Sequence, residues 1–414
     1  MAMTGAGLVG VVALANPAAT APRPMVDDPG YVDGLQWHLD AIGAPAAWSS
    51  STGRGVTVAV VDSGVDVGHP DLRGQVVGEV SCIGADDDPA RCAGPAADDD
   101  GHGTHVAGII AARANDGIGG VGVAPEARLL AVRVLGDVCG DPLQCRPTGS
   151  TADIAAGIRW SVAHGARIVN LSLGATELGP DIRQALWFAW DHGVIPVLAS
   201  GNGAAPIDIG QEPVVVVTAV DRHGKRPSYA GPVGPARWAL AAPGGDEGDT
   251  STTCHVGGQP VGIFSTWWRG VGDGSGYACE AGTSMAAPQV SGGLALLLSM
   301  GYSPIQAVHR ILDTARPLGT PGTDLEYGAG SLDLAAAVAG PLPPGIRASA
   351  AGLPLPPTHL PAVPIVGPLA PDPSLPHRLP GWLVALGGGL CAGVVADLSW
   401  RWSSRRRPNQ PTTT

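Results

Sequence analysis

Charge is scarce in this sequence, and positive charge is the scarcer kind. Only 14% of the residues are Asp, Glu, Lys or Arg, where an average soluble domain has about a quarter. Lys225 is the only lysine. With the richness in Ala, Gly and Pro, that reflects genome composition and carries no mechanism. The formal net charge of −12 excludes a general nucleic-acid binder and suits an exported, soluble surface. No CxxC pair occurs among the seven cysteines, which argues against a zinc site. No internal repeat is evident. No strong calcium signature stands out either, so no metal and no cofactor are expected.

What is present points to one large domain with appendages. The chain has 414 residues, 44% of them hydrophobic, enough to bury a substantial core. Its 62 glycines and 39 prolines imply many turns and at least one linker.

Both ends read as segments outside the fold. Gly7 to Ala15 is a short apolar run followed by small residues, like the core of a signal peptide over residues 1–21, although a charged start is missing. Residues 22–48 form an N-terminal extension. Pro341 to Pro380 is saturated with proline, cannot continue a helix, and reads as a semi-rigid spacer. Trp382 to Leu398 is apolar and just long enough for a membrane-spanning helix, placed at 381–399. A tail at 400–414 follows, with Arg401, Arg405, Arg406 and Arg407. Positive flanks stay cytoplasmic, so the body at 49–340 would face outward. A buried C-terminal helix is the alternative, and the arginines weigh against it.

Cys391 falls inside the expected span. The other six cysteines form an even set in an exported domain and read as three disulfides. Cys82–Cys92 and Cys139–Cys145 each bracket a polar or Pro/Gly-rich loop, which leaves Cys254–Cys279. Six cysteines allow fifteen pairings, so this connectivity is an expectation only.

The body alternates strand and helix signals. Val56 to Val61, Leu129 to Leu135, Ile168 to Leu173, Val194 to Ala199 and Val214 to Val220 are mainly apolar runs, interrupted only at Thr57, Arg133, Asn170, Ser172 and Thr218, close to the pattern of parallel strands covered on both faces. Helix patterns lie at Thr151 to His164, Asp181 to Trp190, Met285 to Met300 and Ser303 to Ala315. The expected class is α/β, with a mostly parallel sheet between helical layers and ligands at the carboxyl ends of the strands.

Three motifs carry chemistry. Asp62 ends the run Val58-Ala59-Val60-Val61, where a carboxylate can hold a histidine. His102 stands in Asp100-Gly101-His102-Gly103-Thr104-His105-Val106-Ala107-Gly108, at the start of a helix pattern. A metal role for His102 and His105 lacks a third ligand at useful spacing. Ser284 stands in Gly282-Thr283-Ser284-Met285-Ala286-Ala287-Pro288, at a helix N-terminus with backbone N–H groups and the positive dipole end beside it. Each motif alone has an ordinary explanation: a strand-ending Asp, a loop His, an N-cap Ser. The acidic run Asp98-Asp99-Asp100 reads as a solvated loop.

Together, in this order, the motifs resemble the subtilisin-like (S8) serine proteases, whose catalytic sequence is Asp, His, Ser. The resemblance runs from about Trp48 to Val338. It implies Asp62, His102 and Ser284 as triad, and Asn202, in Ser200-Gly201-Asn202-Gly203, as oxyanion donor with the Ser284 backbone N–H. It also implies that Ser172, Leu173 and Gly174 hold substrate as an added strand, and that protein or peptide substrates are cleaved.

The short N-terminal extension, the cysteine-bearing loops, the proline spacer and the C-terminal apolar stretch further resemble the mycosins. These are membrane-anchored proteases of type VII secretion systems. That likeness implies a single-pass location at the cell membrane, the catalytic domain outside, and membrane proteins of the secretion complex as partners. A general surface or secreted degradative protease, or a mainly structural stabiliser of such a complex, are the alternatives.

Overall fold

The computed structural model describes residues 26–137, 147–174, 178–246, 254–256, 259–268, 276–319, 322–340 and 383–386. The expected signal peptide, spacer and basic tail lie outside these, as do Cys139 and Cys145. Strands follow the chain as β1 (Thr57–Asp62), β2 (Val76–Ser81), β3 (Arg128–Arg133), β4 (Gly136–Asp137), β5 (Pro147–Ser150), β6 (Ile168–Leu171), β7 (Leu173–Gly174), β8 (Ile195–Ala199), β9 (Val215–Val220), β10 (Trp238–Pro243), β11 (His255–Val256), β12 (Gln259–Pro260), β13 (Ile263–Thr266), β14 (Tyr277–Glu280) and β15 (Leu383–Leu386). Helices are α1 (Pro29–Val32), α2 (Trp37–Ala41), α3 (Ala44–Ala47), α4 (His102–Ala111), α5 (Thr151–Ala163), α6 (Pro180–Asp191), α7 (Thr283–Ser299), α8 (Pro304–Asp313) and α9 (Leu334–Val338).

Seven strands form one sheet in the order β10-β9-β8-β6-β1-β3-β2, and every pairing in it is parallel. Side chains alternate across a strand, so β1 feeds two cores. Val58 and Val60 pack with α4 and α7 residues such as Val106, Ile110, Val290 and Leu294. Ala59 and Val61 pack on the other face with Ile154 and Ile158 of α5 and Leu186 of α6. The result is a three-layer α/β domain. Strand order reverses between β1 and β6, and the crevice at such a switch point is where open α/β sheets take their ligands.

The N-terminal extension docks on this domain by buried contacts. Gln36 exchanges two hydrogen bonds with the Val121 backbone, at 2.8 and 2.9 Å. Leu39 and Ile42 join the core, and Trp37 Nε1 donates to the Gly262 carbonyl at 2.9 Å. Disulfides join Cys82 to Cys92 and Cys254 to Cys279.

Among the described residues no helix is long and apolar enough to cross a membrane. Of the stretch expected to span it, only Leu383–Leu386 is described, and it forms a strand. An apolar run without polar commitment accepts strand pairing where unpaired edges are offered.

Candidate active site

The register of β1 on β6 pairs Val60 with Asn170. Two residues further on, Asp62 and Ser172 therefore reach the same end of the sheet. Asp62 Oδ1 lies 2.7 Å from His102 Nδ1, and both groups are buried. Ser284 is the second residue of α7 and fully buried. Its Oγ donates to the Ser172 carbonyl at 3.2 Å, while Ser172 Oγ donates to the Ser284 carbonyl at 2.8 Å. The strand ends and α7 are thus tied together at the site. His102 Nε2 and Asp62 Oδ2 have no hydrogen-bond partner among the described residues.

Close approach fixes His102. A Cβ on Gly103 would lie 2.0 Å from the Gly64 carbonyl oxygen, so only glycine lets α4 start against the loop after β1. Asp98 then organises that start. Its Oδ1 accepts from Ser63 Oγ at 3.0 Å and from the N–H groups of Asp100 and Gly101 at 3.1 and 3.0 Å. Its Oδ2 accepts from the Thr104 N–H at 2.9 Å and from the Thr104 hydroxyl. Asp98 is 4% exposed. Of the acidic run expected to be a solvated loop, Asp99 is exposed and Asp98 is not. Asp98 is turned inward because α4 begins with unsatisfied N–H groups that a carboxylate caps well. The sequence signal was its place four residues before His102.

Burial alone would lower the His102 pKa. The Asp62 carboxylate at Nδ1, with Asp100 and Glu280 beyond it, outweighs burial and raises it above the ordinary 6.5. Burial, with the Asp98 and Asp62 charges, raises Asp100 to about 6 against the opposing pull of His102. His105, one turn along α4, is lowered to about 3 by burial and by the charge of His102.

Asn202 follows β8. Its Oδ1 accepts from the Thr283 N–H at 3.1 Å and from Thr283 Oγ1 at 3.0 Å. An amide held by its oxygen keeps its NH2 as the donor side, next to Ser284. A buried polar chain also links the strand to the helix. Ser291 Oγ donates to Asn170 Oδ1 at 2.8 Å, and Asn170 Nδ2 donates to Ser172 Oγ at 2.9 Å. Sequence reasoning placed Asn170 only within the substrate strand and gave Ser291 no role. Among the described residues no cluster of three or more His, Cys, Asp or Glu could hold a metal ion.

A buried Asp–His pair and a serine at a helix N-terminus, both at the ends of neighbouring strands at the switch point of a parallel sheet, fit the hydrolase class that works through an activated serine. Comparison with known proteins gives the family. Residues 53–330 match the Subtilase family (peptidase S8), and the chain belongs to it. It is similar to thermitase of Thermoactinomyces vulgaris, 34% identical over 72% of this chain and 94% of that protein. It is also similar to subtilisin Savinase of Lederbergia lenta, 36% identical over 73% of this chain and 98% of that one. Among solved structures, a protease from Pseudoalteromonas arctica PAMC 21717 superposes with a TM-score of 0.61 at 30% identity. That match covers 76% of this chain and 98% of the other. The chain is a subtilisin-like serine endopeptidase.

Proposed function

We propose that Ser284 is the nucleophile, His102 its general base and acid, and Asp62 the residue that fixes the imidazole. The observation that supports this most directly is the 2.7 Å Asp62–His102 contact, at the same sheet end as a serine whose hydroxyl rests on the Ser172 carbonyl. In the reaction the Ser284 hydroxyl turns from that carbonyl to His102 Nε2 and attacks the scissile carbonyl. His102 then hands the proton to the leaving amine, and water releases the acyl group. Asn202 and the Ser284 N–H stabilise the oxyanion, and Ser172, Leu173 and Gly174 pair with the substrate backbone. The test is a fluorophosphonate probe, which should label the wild type at Ser284 and leave Ser284→Ala unlabelled. Labelling of the variant at the wild-type rate would reject the assignment.

We further propose that the enzyme works outside the cytoplasm, anchored through residues 381–399, and processes substrates of a type VII secretion system while supporting its membrane complex. The support is the order of segments in the sequence: extension, catalytic body, proline spacer, apolar stretch, arginines. Deletion of the gene should block type VII export, and a Ser284→Ala copy should restore part of it. Normal export in the deletion strain would leave a general surface protease as the better reading.

A further inference from the structure

Pro288 stands inside α7, one turn after Ser284. In an α-helix the carbonyl of residue 284 accepts from the N–H of residue 288, and proline has none. The Ser284 carbonyl therefore lacks its helical donor, and a buried carbonyl needs a partner. Ser172 fills the place, its Oγ donating to that carbonyl at 2.8 Å. A serine hydroxyl has one hydrogen and two lone pairs, and Asn170 decides where the hydrogen points. Asn170 Nδ2 donates to Ser172 Oγ at 2.9 Å, so the hydroxyl accepts on that side and its hydrogen is left for Ser284. Asn170 is oriented in turn by Ser291, whose Oγ donates to Asn170 Oδ1 at 2.8 Å. Ser291 also lies on α7. The bonds close a loop from α7 to β6, on to Ser172 and back to α7. Asn170, Ser172, Ser284 and Ser291 are all fully buried, and a polar network whose members are satisfied in this way is rigid.

We infer that Asn170 is a positioning residue for the nucleophile. It acts through the Ser172 hydroxyl, which stands in for the missing N–H of residue 288 and holds the Ser284 main chain. The inference rests on Ser284 being the nucleophile. A helical bond would tie the Ser284 carbonyl to α7 alone. The bond from Ser172 ties it instead to the sheet end where Asp62 holds His102, since β6 pairs with β1 through Asn170 and Val60. The nucleophile is thereby registered against its base. The attacking Oγ and the N–H proposed for the oxyanion belong to the same residue as this carbonyl, so they move with it. The Ser172 carbonyl on which Ser284 Oγ rests, at 3.2 Å, is held by the same loop of bonds. A displacement of about 1 Å at such a centre can cost about 10² in rate.

The test uses the whole chain and reads the rate of fluorophosphonate labelling beside kcat and the thermal unfolding midpoint, with every rate taken well below the midpoint of the variant. Asn170→Leu should lower labelling and kcat together, by about ten- to a hundredfold. Ser172→Ala should do the same, although the Ser172 carbonyl remains. Because Asn170 acts through that hydroxyl, the double variant should label within about twofold of Ser172→Ala. Pro288→Ala supplies an N–H at residue 288, and in that background the loss from Ser172→Ala should shrink by at least about fivefold. Asn170→Leu that labels at the wild-type rate and only melts lower would overturn the inference. So would losses that multiply in the double variant, or a Ser172→Ala loss that Pro288→Ala leaves unchanged. The Asn170 comparison and the Pro288 comparison each decide alone if a variant of the other fails to fold. A wild-type chain that does not label would instead sink the assignment of Ser284, and its positioning by Asn170 with it.

Discussion

Replacing His38 by leucine should make the stability of this protein less sensitive to acid. His38 lies on α2, in the N-terminal extension, with no exposed surface, and neither ring nitrogen has a hydrogen-bond partner among the described residues. Burial, helped by the neighbouring His105, lowers its pKa from 6.5 to about 3. The sign follows from proton binding. Below pH 6.5 the unfolded chain binds a proton at this position and the folded chain does not, so stability is lost as pH falls from 6.5 towards 3. One pH unit is worth about 1.4 kcal/mol, so His38 costs about 2 kcal/mol at pH 5 that it does not cost at pH 7.5. Wild type alone will not show this cleanly. Burial raises Asp71 to about 7 and Asp100 to about 6, and these carboxyls gain protons in the fold over the same range, with the opposite sign. The difference between His38→Leu and wild type cancels them. Both proteins should carry Ser284→Ala to prevent self-digestion and be unfolded in denaturant at pH 7.5 and pH 5. The leucine variant should gain about 2 kcal/mol on wild type between the two conditions. A difference that is the same at both pH values would refute the reasoning, because it would mean that His38 keeps its solution pKa in the fold.

Other outcomes test the site directly. Asn202→Ala should lower kcat by about 10²–10³ with little change in KM; equal kcat values would remove Asn202 from the oxyanion site. Because His102 must lose its proton to act as base and its pKa is raised, kcat/KM should climb with pH through a midpoint above 6.5. Asp62→Asn should move that midpoint down and reduce kcat by about 10⁴, and an unmoved pH profile would contradict the Asp62 assignment. Asp98→Ala should cost about 1 kcal/mol of stability through the lost helix cap. It should also lower kcat by up to about 10² through the misplaced His102, and a wild-type kcat would show that α4 holds its start without it. Alkylation under denaturing, non-reducing conditions should find no free thiol at Cys82, Cys92, Cys254 or Cys279, and two or more alkylated cysteines within residues 50–340 would refute three bridges.

The sequence by itself determined the layered domain and the residues at its centre. Runs such as Val58 to Val61 are apolar at every position, and only a strand covered on both faces uses such a run fully. Asp62, His102 and Ser284 were legible as candidates because each sits in a short string rich in glycines and small residues, and Gly103 is required where it packs against Gly64. The local disulfide of Cys82 and Cys92 was legible because the two cysteines bracket a short polar loop. Strand β2 was not, since it lies at the sheet edge with alternate residues solvent-facing and has no continuous apolar run. Nor was the antiparallel pair β13 and β14, whose strands have four residues each. Asp98 looked solvated beside Asp99 and Asp100, because burial of a carboxylate depends on which donors the rest of the fold brings to it. The Ser291–Asn170 bond spans 121 positions, His38 meets His105 across the docked extension, and β15 reaches β7 from the far end of the chain. Such pairings depend on where distant backbone segments pack, a property that no local pattern of residue types encodes.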